Sequence, residues 1–225
     1  MSKKSLTQLA NQYNSDKGDT YLCAHQYTKV YEFLIENYIE KIQNPVRLLE
    51  IGLNRDGTHS TPSLNMWRDY LGDEAMIFGL DIYDDFKKFD KLHKNTRIII
   101  ADQSSAKDLK TVCNYSDYFD IVIDDGYHAS QHQQISFENL WPMVKSGGMY
   151  IIEDLHWQPT AENCTKTKLL MEKWANSDFC SSEFISKESV ERIKPTIEKI
   201  EFFDSKSPKW SLDSLRHALV VVHKK

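Results

Sequence analysis

The sequence has few cysteines and no long apolar run. Its four cysteines are far apart and form no C-x-x-C pair: Cys23, Cys113, Cys164 and Cys180. So sparse a set does not build a disulfide-stabilised secreted scaffold. The N-terminus lacks the apolar core of a signal peptide, and no run approaches the ~20 apolar residues that cross a bilayer. We therefore expect a reduced, soluble, cytoplasmic protein with no membrane partner.

Charge of one sign is not concentrated anywhere in the chain. There are 28 Lys and Arg against 33 Asp and Glu, a net charge of -5, and no Lys/Arg-rich run. Proteins that bind nucleic acid usually present a basic cluster to its phosphates, so we expect no nucleic-acid partner. With 225 residues and 40% hydrophobic content, the chain can bury one good core, which predicts a single domain.

The sequence does contain a repeated unit of a short β-branched run, a turn and a polar segment with helical spacing. Five such runs are present: 46–52, 76–82, 97–102, 119–124 and 147–154. Their nearly continuous apolar character is typical of parallel strands covered by helices on both faces. Each polar segment between these runs is long enough for a crossover helix: STPSLNMWRDYL, DDFKKFDKLH, SAKDLKTVC and SQHQQISFENLWPMV. The pattern therefore predicts an α/β fold with a doubly wound, mostly parallel sheet.

The two ends of the chain have a different character. Residues 1–44 contain two segments with helical spacing, which predict a helical cap before the first strand. Residues 196–225 contain two strand-like runs joined by a loop too short for a long helix. This arrangement predicts a C-terminal antiparallel β-hairpin at the edge of the sheet.

Each predicted parallel strand ends in at least one acid. Ligands of open α/β sheets bind outside the carboxyl ends of the strands, so these side chains should line one crevice. Any one of them could instead cap the following helix. The whole set needs a cation or a donor-rich ligand to offset its mutual repulsion. The acids are Glu50, Asp81, Asp102, Asp124, Asp125, Glu153 and Asp154.

The turn after the first strand indicates which nucleotide-like ligand fits. In EIGLNRDG only Gly52 is well placed, since the turn does not follow G-x-G-x-x-G, and a pyrophosphate cradle is not expected. Asp81, at the end of the second strand, suits a ribose diol because a carboxylate can accept two hydrogen bonds. An acid-x-Gly turn followed by a strand-two acid resembles the class I S-adenosylmethionine-dependent methyltransferases.

That resemblance implies S-adenosylmethionine as cofactor and a seven-stranded Rossmann-like sheet with a terminal hairpin. It also implies that the glycine turn approaches the methionine part of the cofactor, that the strand-two acid holds the ribose, and that an acid with a polar neighbour meets the adenine. The matching residues are Glu50 with Gly52, Asp81, and Asp102 with Gln103. Asp124 either contacts the methionine end of the cofactor or contacts a neighbouring residue that does.

The segment FDIVIDDGYH, residues 119–128, brings acids, a glycine and a histidine together after the fourth strand. Asp125 is the first residue clear of that strand, and Glu153 and Asp154 end the neighbouring one. Three carboxylates at adjacent strand ends form a hard oxygen site that suits Mg²⁺ rather than Zn²⁺. We therefore predict Asp125, Glu153 and Asp154 as metal ligands.

Two histidines follow this segment at a spacing of four. They lack the Glu of the H-E-x-x-H zinc motif, and we interpret His132 as a surface or packing residue. His128 lies three residues beyond Asp125, where a neutral imidazole could take a proton from a hydroxyl held on the metal. A structural role for His128 is the alternative to a catalytic one.

Longer stretches are similar to the macrolide-sugar O-methyltransferases of the mycinamicin and tylosin pathways. They are LLEIG, GLDIYD, ADQ, FDIVIDDGYH, residues 137–154, and SDKG…HQYTKVYE upstream. Metal-dependent catechol O-methyltransferases share the acid and base placement. The resemblance implies that Asp125, Glu153 and Asp154 bind Mg²⁺ and that His128 is the general base.

The resemblance implies an O-methyltransferase that acts on a hydroxyl of a sugar, a glycosylated natural product or a polysaccharide precursor. A catechol-like or other small acceptor is one alternative, and a non-catalytic cofactor-binding partner is another. Within one domain, 1–225, we interpret 1–44 as a lid, 45–154 as the cofactor and metal core, and 155–195 as an acceptor-binding helical region. A homo-oligomer is compatible with this reading.

Two smaller sets of residues have alternative roles. Lys17, His25 and Tyr27 belong to a lid over the cofactor by resemblance, or Tyr27 and Tyr31 form an ordinary helix face. Trp157 and Trp210 either wall the acceptor pocket or are buried structural residues.

Overall fold

The computed structural model describes residues 3–21, 24–53, 60–90, 93–159, 162–207 and 215–225. Cys23, Asn54, Gly57 and Trp210, which entered the sequence predictions, lie outside the described residues.

Helices and strands alternate through the middle of the chain. The strands are β1 Arg47–Ile51, β2 Met76–Asp81, β3 Thr96–Ile100, β4 Phe119–Asp124, β5 Val144–Ile152, β6 Ile197–Phe203 and β7 Leu219–Lys224. The α-helices are α1 Leu6–Gln12, α2 Thr28–Ile39, α3 Pro62–Leu71, α4 Ala106–Leu109, α5 Ser130–Leu140, α6 Thr167–Ala175 and α7 Lys187–Ile193.

The strands form one seven-stranded sheet in the order β3-β2-β1-β4-β5-β7-β6. Strands β1 to β5 pair in parallel, while β7 is antiparallel to both β5 and β6. The predicted doubly wound sheet and terminal hairpin are therefore confirmed. Strand order reverses between β1 and β4, so the usual ligand crevice of such sheets lies at their carboxyl ends.

Two apolar layers cover the sheet. Helices α1, α2 and α3 pack on one face, and α5, α6 and α7 pack on the other. Every residue of β4 is buried, which explains why its sequence shows no alternation of apolar and polar residues. Residues 1–44 contain the helices α1 and α2, and residues 155–195 contain α6 and α7, where helices were predicted.

Two crossovers differ from the prediction of a helix after each strand. In the described part of DDFKKFDKLH, residues 84–90 and 93, the structure has a 3₁₀ helix, Asp84–Phe89, in which Phe86 is the buried residue. SAKDLKTVC forms the single turn α4 followed by a 3₁₀ helix, Lys110–Asn114. Each segment packs only a few apolar residues on the core, Phe86 and Phe89 in one and Leu109 and Val112 in the other, which is too little to offset the cost of nucleating a longer helix.

The segment between α1 and α2 folds back toward the sheet. The carbonyl of Asp16 accepts the N–H of His25 at 2.7 Å, and the carbonyl of Lys17 accepts that of Thr28 at 3.2 Å. These bonds hold Lys17 and His25 near the carboxyl ends of the strands. Among the residues that the structure describes, no helix has the length and apolar character needed to span a bilayer.

Candidate functional site

A cavity of about 270 Å³ opens at the carboxyl ends of the parallel strands. The structure places four of the predicted cofactor residues on its wall, where they follow β1, β2 and β3: Gly52, Asp81, Asp102 and Gln103. The turn after β4 adds Gly126 and Tyr127. The cavity therefore lies where the strand order reverses, as expected for this type of sheet.

Two glycine turns meet beside the cavity. Gly52 has a φ of +89°, and a Cβ there would lie 2.1 Å from the carbonyl oxygen of Asp125. A Cβ on Gly126 would lie 2.1 Å from Oε1 of Gln103. Only glycine lets the backbones approach this closely, so the turn after β1 and the turn after β4 share one wall.

The cavity carboxylates are held by backbone donors. Asp81 accepts the N–H of Leu53 at 2.8 Å and that of Tyr83 at 3.0 Å. Asp102 accepts both the N–H and the hydroxyl of Ser104 at 2.7 Å through its Oδ1. Each carboxylate oxygen can accept more than one bond, so both side chains keep acceptor capacity toward the cavity.

Asp124 is connected to the turn after β4 through hydrogen bonds of Gln103. It is fully buried and is not among the residues that line the cavity. Gln103 donates to it at 2.5 Å and Tyr150 at 3.2 Å, while the N–H of Tyr127 donates to Gln103 at 3.1 Å. Burial raises the pKa of Asp124 to about 6, against the lowering effect of the Gln103 and Tyr150 bonds.

Lys17 lies at the centre of a buried charged cluster on the other side of the glycine turns. Its side chain is 1% exposed, and its Nζ lies 2.9 Å from Glu153 and 3.5 Å from Glu50. It also donates a short hydrogen bond to Asp125. Burial alone would lower the pKa of Lys17, but these carboxylates raise it well above its usual range. Lys17 is therefore a permanent internal cation.

The cluster contains more carboxyl groups than buried cations. Burial raises the pKa of Glu50 to about 7 and raises that of Glu153 well above its usual range, while Lys17 opposes both shifts. The pKa of Asp125 is raised for the same reason. Carboxyl groups whose pKa is raised by burial and by neighbouring carboxylates are suited to exchange a proton for a divalent cation.

Tyrosines at the start of α2 connect the N-terminal region to this cluster. The hydroxyl of Tyr27 donates to Asp154 at 2.9 Å, and that of Tyr31 donates to Glu153. Both rings are fully buried. Tyr27 and Tyr31 are thus an interior helix face, and the same face contacts two of the predicted metal ligands.

Asp154 is surrounded by imidazoles. Nε2 of His25 lies 3.6 Å from it, Nε2 of His128 3.8 Å, and Nδ1 of His156 3.9 Å. Burial raises the pKa of Asp154, but the three histidines outweigh it and the pKa is lowered. His156 was not among the predicted site residues, because the sequence around it, two residues after Asp154, matches no recognisable motif.

His128 and Asp154 both have left-handed backbones, with φ of +62° and +55°. Residues other than glycine adopt this conformation uncommonly, although Asn, Asp and His do so more often than the rest, and such backbones concentrate at functional sites. Asp125, His128 and Asp154 each offer one ligand atom, all within 4.8 Å of one another. This donor set fits a divalent cation, with Glu153 adjacent but bonded to Lys17 and Tyr31.

Aromatic rings border the site. Trp157 is 42% exposed, and its ring meets that of His128 edge-on at 5.6 Å. The His132 ring contacts Tyr127 at 5.0 Å and lies on the cavity wall. The interpretation of His132 as a surface or packing residue is therefore incomplete, because the turn after β4 brings it to the cavity.

The chain matches no family model, but it resembles characterised enzymes. The 8-demethyl-8-(2-methoxy-alpha-L-rhamnosyl)-tetracenomycin-C 3'-O-methyltransferase of Streptomyces olivaceus is 37% identical over 155 residues, 67% of this chain and 36% of that protein. Mycinamicin VI 2''-O-methyltransferase of Micromonospora griseorubida is 34% identical over 180 residues, 74% of this chain and 42% of that protein. The chain thus spans about two fifths of the length of these relatives.

Solved structures agree with these matches. The MycE methyltransferase of the mycinamycin pathway, in complex with Mg, SAH and mycinamycin VI, has a TM-score of 0.73 and 28% identity, covering 99% of this chain and 55% of that one. An O-methyltransferase from Bacillus cereus shares the fold, with a TM-score of 0.54 at 12% identity, covering 100% of this chain and 92% of that one. The chain is therefore related to the S-adenosylmethionine-dependent O-methyltransferases of the MycE type and has their Rossmann-like methyltransferase fold.

Proposed function

We propose that the protein is a Mg²⁺-dependent, S-adenosylmethionine-dependent O-methyltransferase that methylates a hydroxyl of a sugar, a glycosylated natural product or a polysaccharide precursor. One observation carries the proposal. Gly52 and Gly126 line the cavity, and a Cβ on Gly52 would lie 2.1 Å from the carbonyl oxygen of Asp125, which belongs to the group of Asp125, His128 and Asp154. A methyl donor in the cavity and a cation-binding acid group are thus direct neighbours.

The cavity residues suit the cofactor. S-adenosylmethionine supplies a methyl group already activated on a positively charged sulfur, so the protein has only to align a hydroxyl with it and remove a proton. Asp81 faces the cavity with acceptor capacity for a ribose diol. Asp102, Gln103 and the paired rings of Tyr127 and His132 offer the polar edge and flat surface that an adenine needs.

The acids after β4 and β5 suit a hard divalent cation. Asp125 and Asp154 present oxygens within 4.8 Å of each other, and Glu153 shares the ammonium of Lys17 with Asp125. Mg²⁺ bound by Asp125, Glu153 and Asp154 would lower the pKa of an acceptor hydroxyl and offset the excess negative charge.

His128 is placed to receive the proton of the hydroxyl. Its ring is 18% exposed, and Nε2 faces the carboxylate of Asp154 at 3.8 Å. A carboxylate at this distance stabilises the imidazolium that proton transfer creates. A cofactor-binding partner without activity has no need of such a base, so the arrangement favours an enzyme.

Trp157 supports a sugar or another ring as the acceptor. Its partly exposed ring stands beside His128, at the start of the segment 155–195 that we assign to acceptor binding. A flat apolar surface next to the base would hold one face of a ring and direct a hydroxyl inward. A catechol-like acceptor would use the same surface and is the second candidate. We retain the cytoplasmic location as a prediction and leave the oligomeric state open.

Calorimetry tests the cofactor assignment. We expect S-adenosylmethionine to bind and NAD not to bind, and the reverse result would reject the proposal. A screen of glycosylated and catechol acceptors with methyl-labelled cofactor then identifies the product. EDTA should abolish labelling and Mg²⁺ restore it, whereas full activity in chelator would remove the metal from the proposal.

Variants test the base. His128→Ala should retain cofactor affinity and lose labelling, by about 10²–10⁴-fold for a general base. His93→Ala is the control, because His93 precedes β3 at the opposite edge of the sheet. An active His128→Ala protein would make His128 a structural residue.

A further inference from the structure

A nitrogen-rich group of side chains surrounds Asp154 and is not part of the cavity lining. His25 comes from the segment before α2, and His156 follows Asp154 by two residues. The ring of His25 is 8% exposed and that of His156 is fully buried. The ligand atoms of His25, Asp154 and His156 lie within 4.8 Å of one another, and the two rings are 5.5 Å apart.

The contacts of Ser205 fix the orientation of His25. Oγ of Ser205 lies 3.3 Å from the carbonyl oxygen of His25 and 3.3 Å from its Nδ1. The single hydroxyl proton is donated to the carbonyl, so Nδ1 of His25 is the donor to Oγ. The neutral ring then carries its lone pair on Nε2, which faces Asp154 at 3.6 Å.

A lone pair and a carboxylate oxygen at this distance repel each other unless a proton or a metal ion lies between them. The ring of His25 cannot easily turn away, because it stacks on Tyr27 at 5.2 Å with an interplanar angle of 13°. Histidines that bind metals are oriented in the same manner, by donating their other ring N–H to an oxygen. The His25 environment therefore has the form of a prepared metal ligand.

We propose that His25, Asp154 and His156 bind one borderline transition-metal ion, of which Zn²⁺ and Co²⁺ are the test species. Two imidazole nitrogens with one carboxylate oxygen are ligands that Zn²⁺ prefers, whereas Mg²⁺ prefers oxygen alone. With bonds of about 2.0–2.2 Å, two ligands of a tetrahedral ion lie roughly 3.4 Å apart. Nε2 of His25 lies 3.6 Å from Oδ2 of Asp154, and Nδ1 of His156 lies 3.9 Å from Oδ1, so the ion would lie between the two rings with the carboxylate bound through both oxygens.

The ion would share Asp154 with the proposed Mg²⁺ site. Because one carboxylate cannot serve both ions fully, Zn²⁺ should antagonise Mg²⁺-dependent methylation. This consequence rests on the proposed function, but binding of the transition metal does not.

Metal binding to the full chain tests the inference. Protein freed of metal with EDTA and desalted is titrated with Zn²⁺ in the absence of Mg²⁺ by calorimetry. We expect one Zn²⁺ per chain, with affinity reduced about tenfold or more in His25→Gln and in His156→Gln, and unchanged in the control His93→Gln. Wild-type protein that binds no Zn²⁺, or variants that bind it as tightly as wild type, would overturn the inference.

A spectroscopic measurement covers the case in which a variant fails to fold. Co²⁺ added to wild-type protein should give visible absorption bands of a nitrogen-ligated ion, and the spectrum of hydrated Co²⁺ alone would overturn the inference. Failure of the two proposals can be distinguished. Zn²⁺ binding without S-adenosylmethionine binding rejects the proposed function only, while S-adenosylmethionine binding and turnover without Zn²⁺ binding rejects the metal site only.

Discussion

The cavity wall and the charged cluster lie side by side at one edge of the sheet, yet they stabilise their carboxylates in different ways. Asp81 and Asp102 accept hydrogen bonds from nearby backbone N–H groups. Asp125 and Glu153 depend instead on the ammonium of Lys17, which is 108 residues away from Asp125 in sequence. The cavity is built locally from the strand-end turns, and the cluster is completed only when the N-terminal segment docks.

This difference predicts that the two regions can be disrupted separately. Changes in the N-terminal segment should affect the cluster and the metal more than the cavity. Changes at the glycine turns should affect both regions, because that wall is common to them.

The largest effect is expected from Lys17→Met. It leaves three buried carboxyl groups, Glu50, Asp125 and Glu153, without their cation, and breaking a buried ion pair in this way costs about 3–5 kcal/mol. Urea unfolding measures the loss. Lys199→Met is the control, since Lys199 pairs with Glu201 while 51% exposed and should lose less than about 1 kcal/mol. A loss as small as that of the control would show that the cluster does not need Lys17.

The next effect is expected from Gly52→Ala. The new Cβ would meet the carbonyl of Asp125 at 2.1 Å, in a backbone with φ of +89°. Gly147→Ala is a matched control, because Gly147 has a φ of +81° and open space around its Cβ. The control should lose about 1–2 kcal/mol from backbone strain, and Gly52→Ala about 1–3 kcal/mol more from overpacking. Thermal or urea unfolding measures both losses of stability. Equal losses would mean that the turn after β1 can move away from the turn after β4 at little cost.

Much of the fold was predictable because its signals are local. The apolar runs that became β1 to β5 are buried on both faces, and the terminal hairpin followed from loop length alone. The helices expected from DDFKKFDKLH and SAKDLKTVC failed because helical spacing does not report how little packing such a segment gains.

The site was predictable to a smaller extent. Residues directly after strands, such as Asp81 and Asp125, could be assigned to the crevice because topology places every strand end there. Lys17 and His25 were linked to the cofactor only by resemblance, and His156 was not identified, because their contacts join segments far apart in sequence and follow no periodic spacing. The SDKG and HQYTKVYE stretches drew attention to the N-terminal region without indicating that it supplies the internal cation.

A pH measurement sharpens the description of the cluster. The pKa of Glu50 rises from 4.5 to about 7 on folding, mainly through burial. Between these values the folded protein binds a proton that the unfolded chain has released, so stability falls as pH increases from about 4.5 to 7. The free energy of unfolding falls by at most about 3 kcal/mol over this range, because a shift of one pKa unit corresponds to about 1.36 kcal/mol.

Glu50→Gln should remove this part of the pH dependence, as urea unfolding at several pH values would show. Glu198→Gln, at an exposed carboxyl in β6, should leave the profile unchanged. If Glu50→Gln retains the full decline from pH 4.5 to 7, other groups cause it.

The smallest effect is expected from removing single tyrosine hydroxyls on α2. Comparing two such hydroxyls distinguishes a contribution to folding stability from a contribution to metal binding. Tyr31 donates to Glu153 and Tyr38 donates to Asp120, and both rings are buried. Tyr31→Phe and Tyr38→Phe should each lose about 1–3 kcal/mol, the usual value for a bond to a charged group. Only Tyr31→Phe should also change Mg²⁺ affinity, because Glu153 is a proposed ligand and Asp120 lies at the other end of β4. Calorimetry measures the Mg²⁺ affinity of both variants. Equal affinities would show that Glu153 is not a metal ligand, and Asp125 and Asp154 would then be the carboxylate ligands.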